Sequence, residues 1–285
     1  SLKTLIEKSV FLIKFNKLML NYRTYKHKTS KSWVTFIHGA GGSSSIWFKQ
    51  IRDFKLAHNL LLIDLRGHGG SDIKKLKPIN KYSFKNVGDD VMEVLDFLKI
   101  EKTHTIGVSL GTIIIRDLSE RYPSRISSMI LTGAILKFNL RGQFLMKLGW
   151  TFQSLVPYMM LYKFFAFIIL PRKNNKESRV LFINEAKKMC QKEFKKWYKL
   201  TSEINPLLKW FRTKPSAIPS LYVMGANDYM FLPAIEKNIS SNPKDKLIVV
   251  PDCGHVVNVE KASVFNQISL NFLSYPNENN LEIPL

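Results

Sequence analysis

The sequence has little cysteine, little acid and no long unbroken apolar run, and each scarcity excludes something. Two cysteines in 285 residues, Cys190 and Cys253, supply neither a disulfide framework nor a metal cluster. A reducing compartment with structural thiols is expected. The apolar stretch Val10 to Leu20 is broken by Lys14, Asn16 and Lys17, which argues against a secretory leader. Leu161 to Leu170 is greasy, but Lys163 interrupts it, and it is too short for a membrane span of about 20 residues. No internal repeat stands out, and no helix-turn-helix, zinc or single-strand-binding motif accompanies the basic residues. No nucleic-acid partner is therefore expected. A cytoplasmic location follows as the expectation.

The shortage of acid is uneven along the chain. Lys and Arg number 43 against 22 Asp and Glu, a formal net charge of +21. Residues 1–31 carry eight Lys/Arg and one acid, and residues 137–214 carry seventeen and four. Everything else holds eighteen against seventeen. A lysine-rich background composition would produce this excess, and so would a surface that attracts anionic membrane lipid or an anionic substrate.

With 45% hydrophobic residues the chain can bury a sizeable core, as one large domain or one with an insertion. Phe11 to Phe15, a turn at Asn16-Lys17, and Leu18 to Tyr25 read as a hairpin. Trp33 to Ile37 is a strand running into His38-Gly39-Ala40-Gly41-Gly42. Ile46 to Phe54 has a short helical pattern. Leu60 to Leu65 is a continuous apolar strand, the kind covered on both faces in a parallel sheet, and ends in the glycine-rich turn Arg66 to Asp72. Phe84 to Leu98 keeps helical period through Val87, Val91, Val94, Leu95 and Leu98. A strand ending in Thr105-Ile106, a helix from Leu110 to Arg121 and a strand from Met129 to Thr132 follow. The alternation then stops for about eighty residues. It resumes with Leu221 to Met224, a helix near Pro233 to Ser240, Leu247 to Val250, and an amphipathic helix from Ala262 to Leu273. This pattern predicts an α/β fold, a mostly parallel, doubly wound sheet of about eight strands with an antiparallel edge. The core would comprise residues 1–136 and 215–285, and residues 137–214 a helical lid. Phe144, Leu148, Phe152 and Leu155 are spaced to form one face of that lid.

Gly107-Val108-Ser109-Leu110-Gly111 lies between a strand and a helix. A serine at so sharp a turn is forced toward strained dihedrals, and glycine at both flanks removes the Cβ atoms that would clash. This is the nucleophile-elbow pattern, in which the partners follow in the order nucleophile, acid, histidine. Of six histidines, His27, His58 and His104 lie in a linker or beside strands, while His38 and His68 sit in the two early glycine-rich loops. Only His255 stands late, on a loop after a strand and next to Gly254. The acid must then fall between Ser109 and His255 at a strand end. Asp228, after Gly225-Ala226-Asn227, meets that demand. Glu177 lies deep in the lid, and Asp252 is only three residues from His255. A developing oxyanion needs preorganised donors. The backbone N–H groups of Leu110 and Ala40 are the candidates, with Gly39, Gly41 and Gly42 letting the loop approach and His38 bracing it.

His38 to Gly42, Asp64 to Asp72, Gly107 to Gly111, Gly225 to Asp228 and Gly254-His255 together resemble the α/β-hydrolase superfamily, in its lipase/esterase-like group. The resemblance covers residues 11–136 and 215–275. It implies a serine hydrolase without cofactor or metal, in which Ser109 attacks, His255 moves the proton and Asp228 orients the imidazole. A serine at position 109 sets the chain apart from dehalogenases and epoxide hydrolases, which would carry Asp there. The aromatic, Met-containing lid points to an ester with an apolar acyl or aromatic group. Carbon–carbon hydrolases, lyases and peroxide-using relatives share this triad, and a ligand receptor with vestigial hydrolysis is a third possibility.

Overall fold

The computed structural model describes residues 18–152, 156–172, 175–239 and 242–277. Its strands are β1 Tyr22–Tyr25, a mostly polar edge strand, then β2 Trp33–Ile37, β3 Asn59–Ile63, β4 Thr103–Val108, β5 Ile126–Thr132, β6 Ser220–Gly225 and β7 Asp245–Val250, in which, taken together, apolar residues predominate. Among the described residues they form one seven-stranded sheet in the order β1-β3-β2-β4-β5-β6-β7. β1 pairs antiparallel with β3, and the neighbouring pairs from β3 to β7 are parallel. The expected strand Phe11 to Phe15 and its turn lie outside the described residues.

Parallel strands need cover on both faces, and their alternation supplies it. Leu61 and Ile63 enter one apolar layer with Val87, Val91, Ile113 and Ile114. Leu60 and Leu62 enter the other with Trp47, Phe54, Phe265 and Phe272. The helices that provide this cover are α1 Phe48–Phe54, α2 Phe84–Phe97, α3 Leu110–Arg121 and, late in the chain, α8 Leu232–Ile239, α9 Val257–Glu260 and α10 Ala262–Ser274. Between β5 and β6 run α4 Leu140–Phe152, α5 Tyr158–Ile169, α6 Lys176–Ala186 and α7 Gln191–Thr213.

Two expectations are corrected. Leu18 to Asn21 is not strand, because Asn21 turns its backbone N–H to Ser71 Oγ and its amide to Asp64. β3 stops at Ile63 because the N–H groups of Asp64 and Leu65 leave the ladder for Asn21 O and His38 Nε2. The α4 face spaced through Phe144, Leu148 and Phe152 is exposed at Phe144 and Phe152 and half-buried at Leu148, while Leu155 lies outside the described residues. α4 instead turns Gly142 and Gly149 inward. A Cβ on Gly149 would stand 2.7 Å from the Phe165 ring of α5, so the helices meet where a side chain would keep them apart. Of the two thiols, Cys253 is buried but Cys190 is exposed at the start of α7.

The approach of α3 to β2 is also glycine-dependent. A Cβ on Gly111 would lie 2.4 Å from the backbone oxygen of Ile37, whereas one on Gly88 would meet mainly the movable end of Arg121. Gly111→Ala is expected to destabilise the fold by about 1–3 kcal/mol through overpacking. Gly88→Ala should stay within about 1 kcal/mol, since alanine is the better helix former. Denaturant melts of the two variants beside wild type check the contrast, and equal losses would contradict it.

Candidate active site

Ser109 joins β4 to α3 with φ 54° and ψ −120°, a region that non-glycine residues rarely occupy. Its neighbours make that turn possible. A Cβ on Gly107 would lie 2.8 Å from the Gly111 carbonyl group, and one on Gly39 would lie 3.1 Å from Ser109 Cβ. The Ser109 N–H still reaches the Thr132 carbonyl at 3.1 Å, so the strained residue remains tied to β5. Its carbonyl accepts from the Thr112 N–H at 2.9 Å and the Thr112 hydroxyl at 2.6 Å.

Asp228 and His255 arrive on neighbouring loops at the C-terminal ends of β6 and β7. These loops touch backbone to backbone. Any Cβ on Gly225 would collide with Gly254 O at 2.0 Å, and the Asn227 N–H donates to Cys253 O at 2.9 Å. The result is a buried hydrogen bond of 2.7 Å between His255 Nδ1 and Asp228 Oδ2. The other carboxylate oxygen accepts from the Phe231 N–H at 3.3 Å. With Nδ1 donating to the carboxylate, Nε2 carries the free lone pair. Nε2 is buried and has no hydrogen-bond partner among the described groups. His255 and Ser109 line the same cavity.

That cavity, about 230 Å³, is also lined by Ala40 and Leu110. The rest of its wall comes largely from α4, α5 and α7, through side chains such as Leu145, Met146, Phe165, Phe194 and Trp197. No Lys, Arg, Asp or Glu is among the lining residues. Among the described residues, the strongly basic segment thus lines the cavity with uncharged side chains. Ser109, Asp228, His255, Ala40 and Leu110 come together at one end of the sheet, and Gly39, Gly41 and Gly42 form the adjoining loop.

The loop holding Ala40 is braced from behind by two buried histidines. His38 Nε2 accepts from the Leu65 N–H at 2.9 Å, and its Nδ1 faces Gly39 O at 2.7 Å. His68 Nε2 accepts from the Gly41 N–H at 2.9 Å, and its Nδ1 faces Arg66 O at 3.0 Å. Each ring therefore accepts through Nε2 and donates through Nδ1, a pattern available only to neutral imidazole. Burial lowers the His38 pKa, and burial plus the neighbouring His38 pulls His68 down to about 3. Beneath them, Asp64 accepts from the Ser44 and Gly70 N–H groups at 2.7 and 2.8 Å.

Several of the contacts that shape this site were invisible in the sequence. The Tyr162 hydroxyl of α5 donates to Ala40 O at 2.9 Å across 122 residues. Trp197 Nε1 of α7 donates to Arg66 O at 2.9 Å. Glu260 accepts from the Gly254 N–H and from Asn175 Nδ2, both at 2.8 Å, and so holds the histidine loop. None of these residues carries a local motif. A buried tyrosine or glutamate acquires its meaning only from a partner far along the chain.

A family model described as alpha/beta hydrolase fold matches residues 32–168. A protein from Acinetobacter baylyi named as a carbamate hydrolase, RutD, is 26% identical over 267 residues, which cover 89% of this chain and 98% of that protein. The Escherichia coli protein named 2-hydroxy-6-oxononadienedioate/2-hydroxy-6-oxononatrienedioate hydrolase is 24% identical over 264 residues, 85% of this chain and 87% of that one. Among solved structures, a hydrolase from Pseudomonas aeruginosa PA01 has a TM-score of 0.75 at 21% identity, covering 89% of this chain and 94% of that chain.

Two outcomes follow from the bracing. Because His38 and His68 fold neutral while their unfolded counterparts protonate near pH 6.5, unfolding takes up protons below that pH. These two rings should lower stability as pH falls below about 6.5, by up to about 1.4 kcal/mol per pH unit each, with the His68 contribution continuing toward its folded value of about 3. An equal drop in thermal midpoint between pH 7 and 5 in wild type and in His68→Gln would contradict this. Tyr162→Phe removes one hydrogen bond of about 1 kcal/mol. It should lower kcat several-fold on an accepted substrate, with KM little changed, and steady-state kinetics reads the split.

Proposed function

We propose that this chain, which has the α/β-hydrolase fold, is a serine hydrolase that cleaves a neutral carboxylic ester through an acyl-enzyme. The observation that carries the reading is the buried 2.7 Å bond from His255 to Asp228, with Ser109, Ala40 and Leu110 on the same cavity. Helices α4 to α7 serve as its cap.

In this reading His255 Nε2 takes the proton of Ser109 as Oγ attacks the ester carbonyl carbon. Asp228 holds the Nδ1–H tautomer and stabilises the imidazolium that forms. Negative charge passes to the carbonyl oxygen, where the N–H groups of Leu110 and Ala40 meet it; loss of one such donor typically costs about 3 kcal/mol. Imidazolium then protonates the departing alkoxide, leaving acyl-Ser109. Water, deprotonated by His255, attacks the acyl carbon, and collapse returns the proton to Ser109. Such contacts between serine and base tighten in the substrate complex.

The cavity wall supports a neutral acyl group. A buried carboxylate without a cation partner is costly, and among the described residues no cationic side chain lines this cavity. The Escherichia coli relative is named for a dioate, which bears two such groups. That difference favours an ester over a carboxylated carbon–carbon substrate here.

A fluorophosphonate probe should label wild type on Ser109 and leave Ser109→Ala unlabelled; equal labelling of both would sink the nucleophile assignment. Asp228→Asn should reduce turnover by about 10⁴-fold, as loss of the correct tautomer does in other triads. Across p-nitrophenyl esters, kcat/KM should rise about two- to fourfold per added methylene until the cavity is filled. A hemisuccinate ester should fall at least tenfold below the butyrate. Turnover of no ester at all would move the reading to carbon–carbon cleavage or to a receptor.

A further inference from the structure

The inner faces of α4 and α5 line the cavity, but their outer faces are apolar too. On α4, Leu140 is 83% exposed and Phe144 64%. On α5, Met160, Phe164 and Phe167 recur at helical spacing, and Met160 and Phe167 are 61% and 56% exposed. Each stripe has a lysine within it, Lys147 on α4 and Lys163 on α5, and both are exposed. The helices are neighbours, since Gly149 of α4 abuts Phe165 of α5. From residue 137 to 176 the chain carries seven Lys/Arg and not one Asp or Glu.

We propose that the outer face of α4 and α5 docks on an anionic lipid bilayer. Apolar surface of this extent is costly in water and marks an interaction site. Seated at the headgroup boundary, Phe144, Met160 and Phe164 would enter the acyl layer. Lys147 and Lys163 would run their methylene stems along the same layer and keep their ammonium groups among the phosphates. Half-exposed Trp150 suits the same depth, where indoles collect. No described helix is long and apolar enough to cross a membrane, so the contact is peripheral. Charge selects the occupant. A second copy would meet this face with the same surface in a two-fold contact, setting acid-free basic helices against each other, whereas anionic headgroups neutralise them.

The test is flotation with vesicles of 30% phosphatidylglycerol in phosphatidylcholine, beside vesicles of phosphatidylcholine alone. Wild type and Ser109→Ala should float equally with the anionic vesicles, and binding should fall at least tenfold in 0.5 M salt. Both Phe144→Ser/Phe164→Ser and Lys147→Glu/Lys163→Glu should lose at least tenfold in binding, with thermal midpoints near wild type as the folding control. Absence of binding by wild type, equal binding to neutral vesicles, or full binding by the folded variants would overturn the proposal. So would a wild-type dimer in sedimentation velocity that either double variant dissolves. Because the readout needs no catalysis, it is independent of the ester-hydrolase reading.

Discussion

The backbone of Ser109 is the constraint on which the rest of the site depends. A non-glycine residue at φ 54° and ψ −120° is costly and persists where its surroundings over-determine it. Here β4 must end, α3 must begin one residue later, and the Ser109 N–H must still reach β5. Gly107 and Gly111 follow from that turn, because each faces backbone atoms where a Cβ would stand. Gly39 follows as well, since its loop passes against the Ser109 side chain. Once the loop is that close, Ala40 and Leu110 border the same cavity as the hydroxyl. A chain that relaxed the serine would release the need for all three glycines together.

The features legible in the sequence were those whose chemistry forces a residue type at a fixed spacing. The glycines about Ser109 are of this kind, as is Asp228 after the β6 strand end, and the structure sets Asp228 against His255. The parallel sheet was legible because strands covered on both faces read as unbroken apolar runs. What failed did so for physical reasons. β3 was drawn two residues too long because Leu65 gives its N–H to His38, 27 residues away, and no local pattern records that. The inward contact of α4 was not legible, because apolar spacing marks the Phe144 and Phe152 face, whereas Gly149 meets the Phe165 ring. Tyr162 and Glu260 were missed because their partners are distant in sequence.

Charge and chemistry separate cleanly across the helices between β5 and β6. Among the described residues, the segment with the largest basic excess contributes no charged side chain to the cavity wall. α5 joins the two sides. Its inner edge places the Tyr162 hydroxyl on the Ala40 carbonyl, in the loop assigned to the oxyanion, while its outer edge exposes Met160 and Phe164. The same helix thus shapes the floor of the cavity and the surface beyond it.

The central claim is that one serine, one imidazole and two backbone donors act on a single carbonyl. A crystal structure of the chain inactivated by an alkyl fluorophosphonate tests it most directly. The account predicts phosphorus bonded to Ser109 Oγ and the alkyl group among the cavity aromatics. The phosphonyl oxygen should lie about 2.7–3.1 Å from the nitrogens of both Ala40 and Leu110. Phosphorus on another residue, or an oxygen turned away from those two N–H groups, would contradict it.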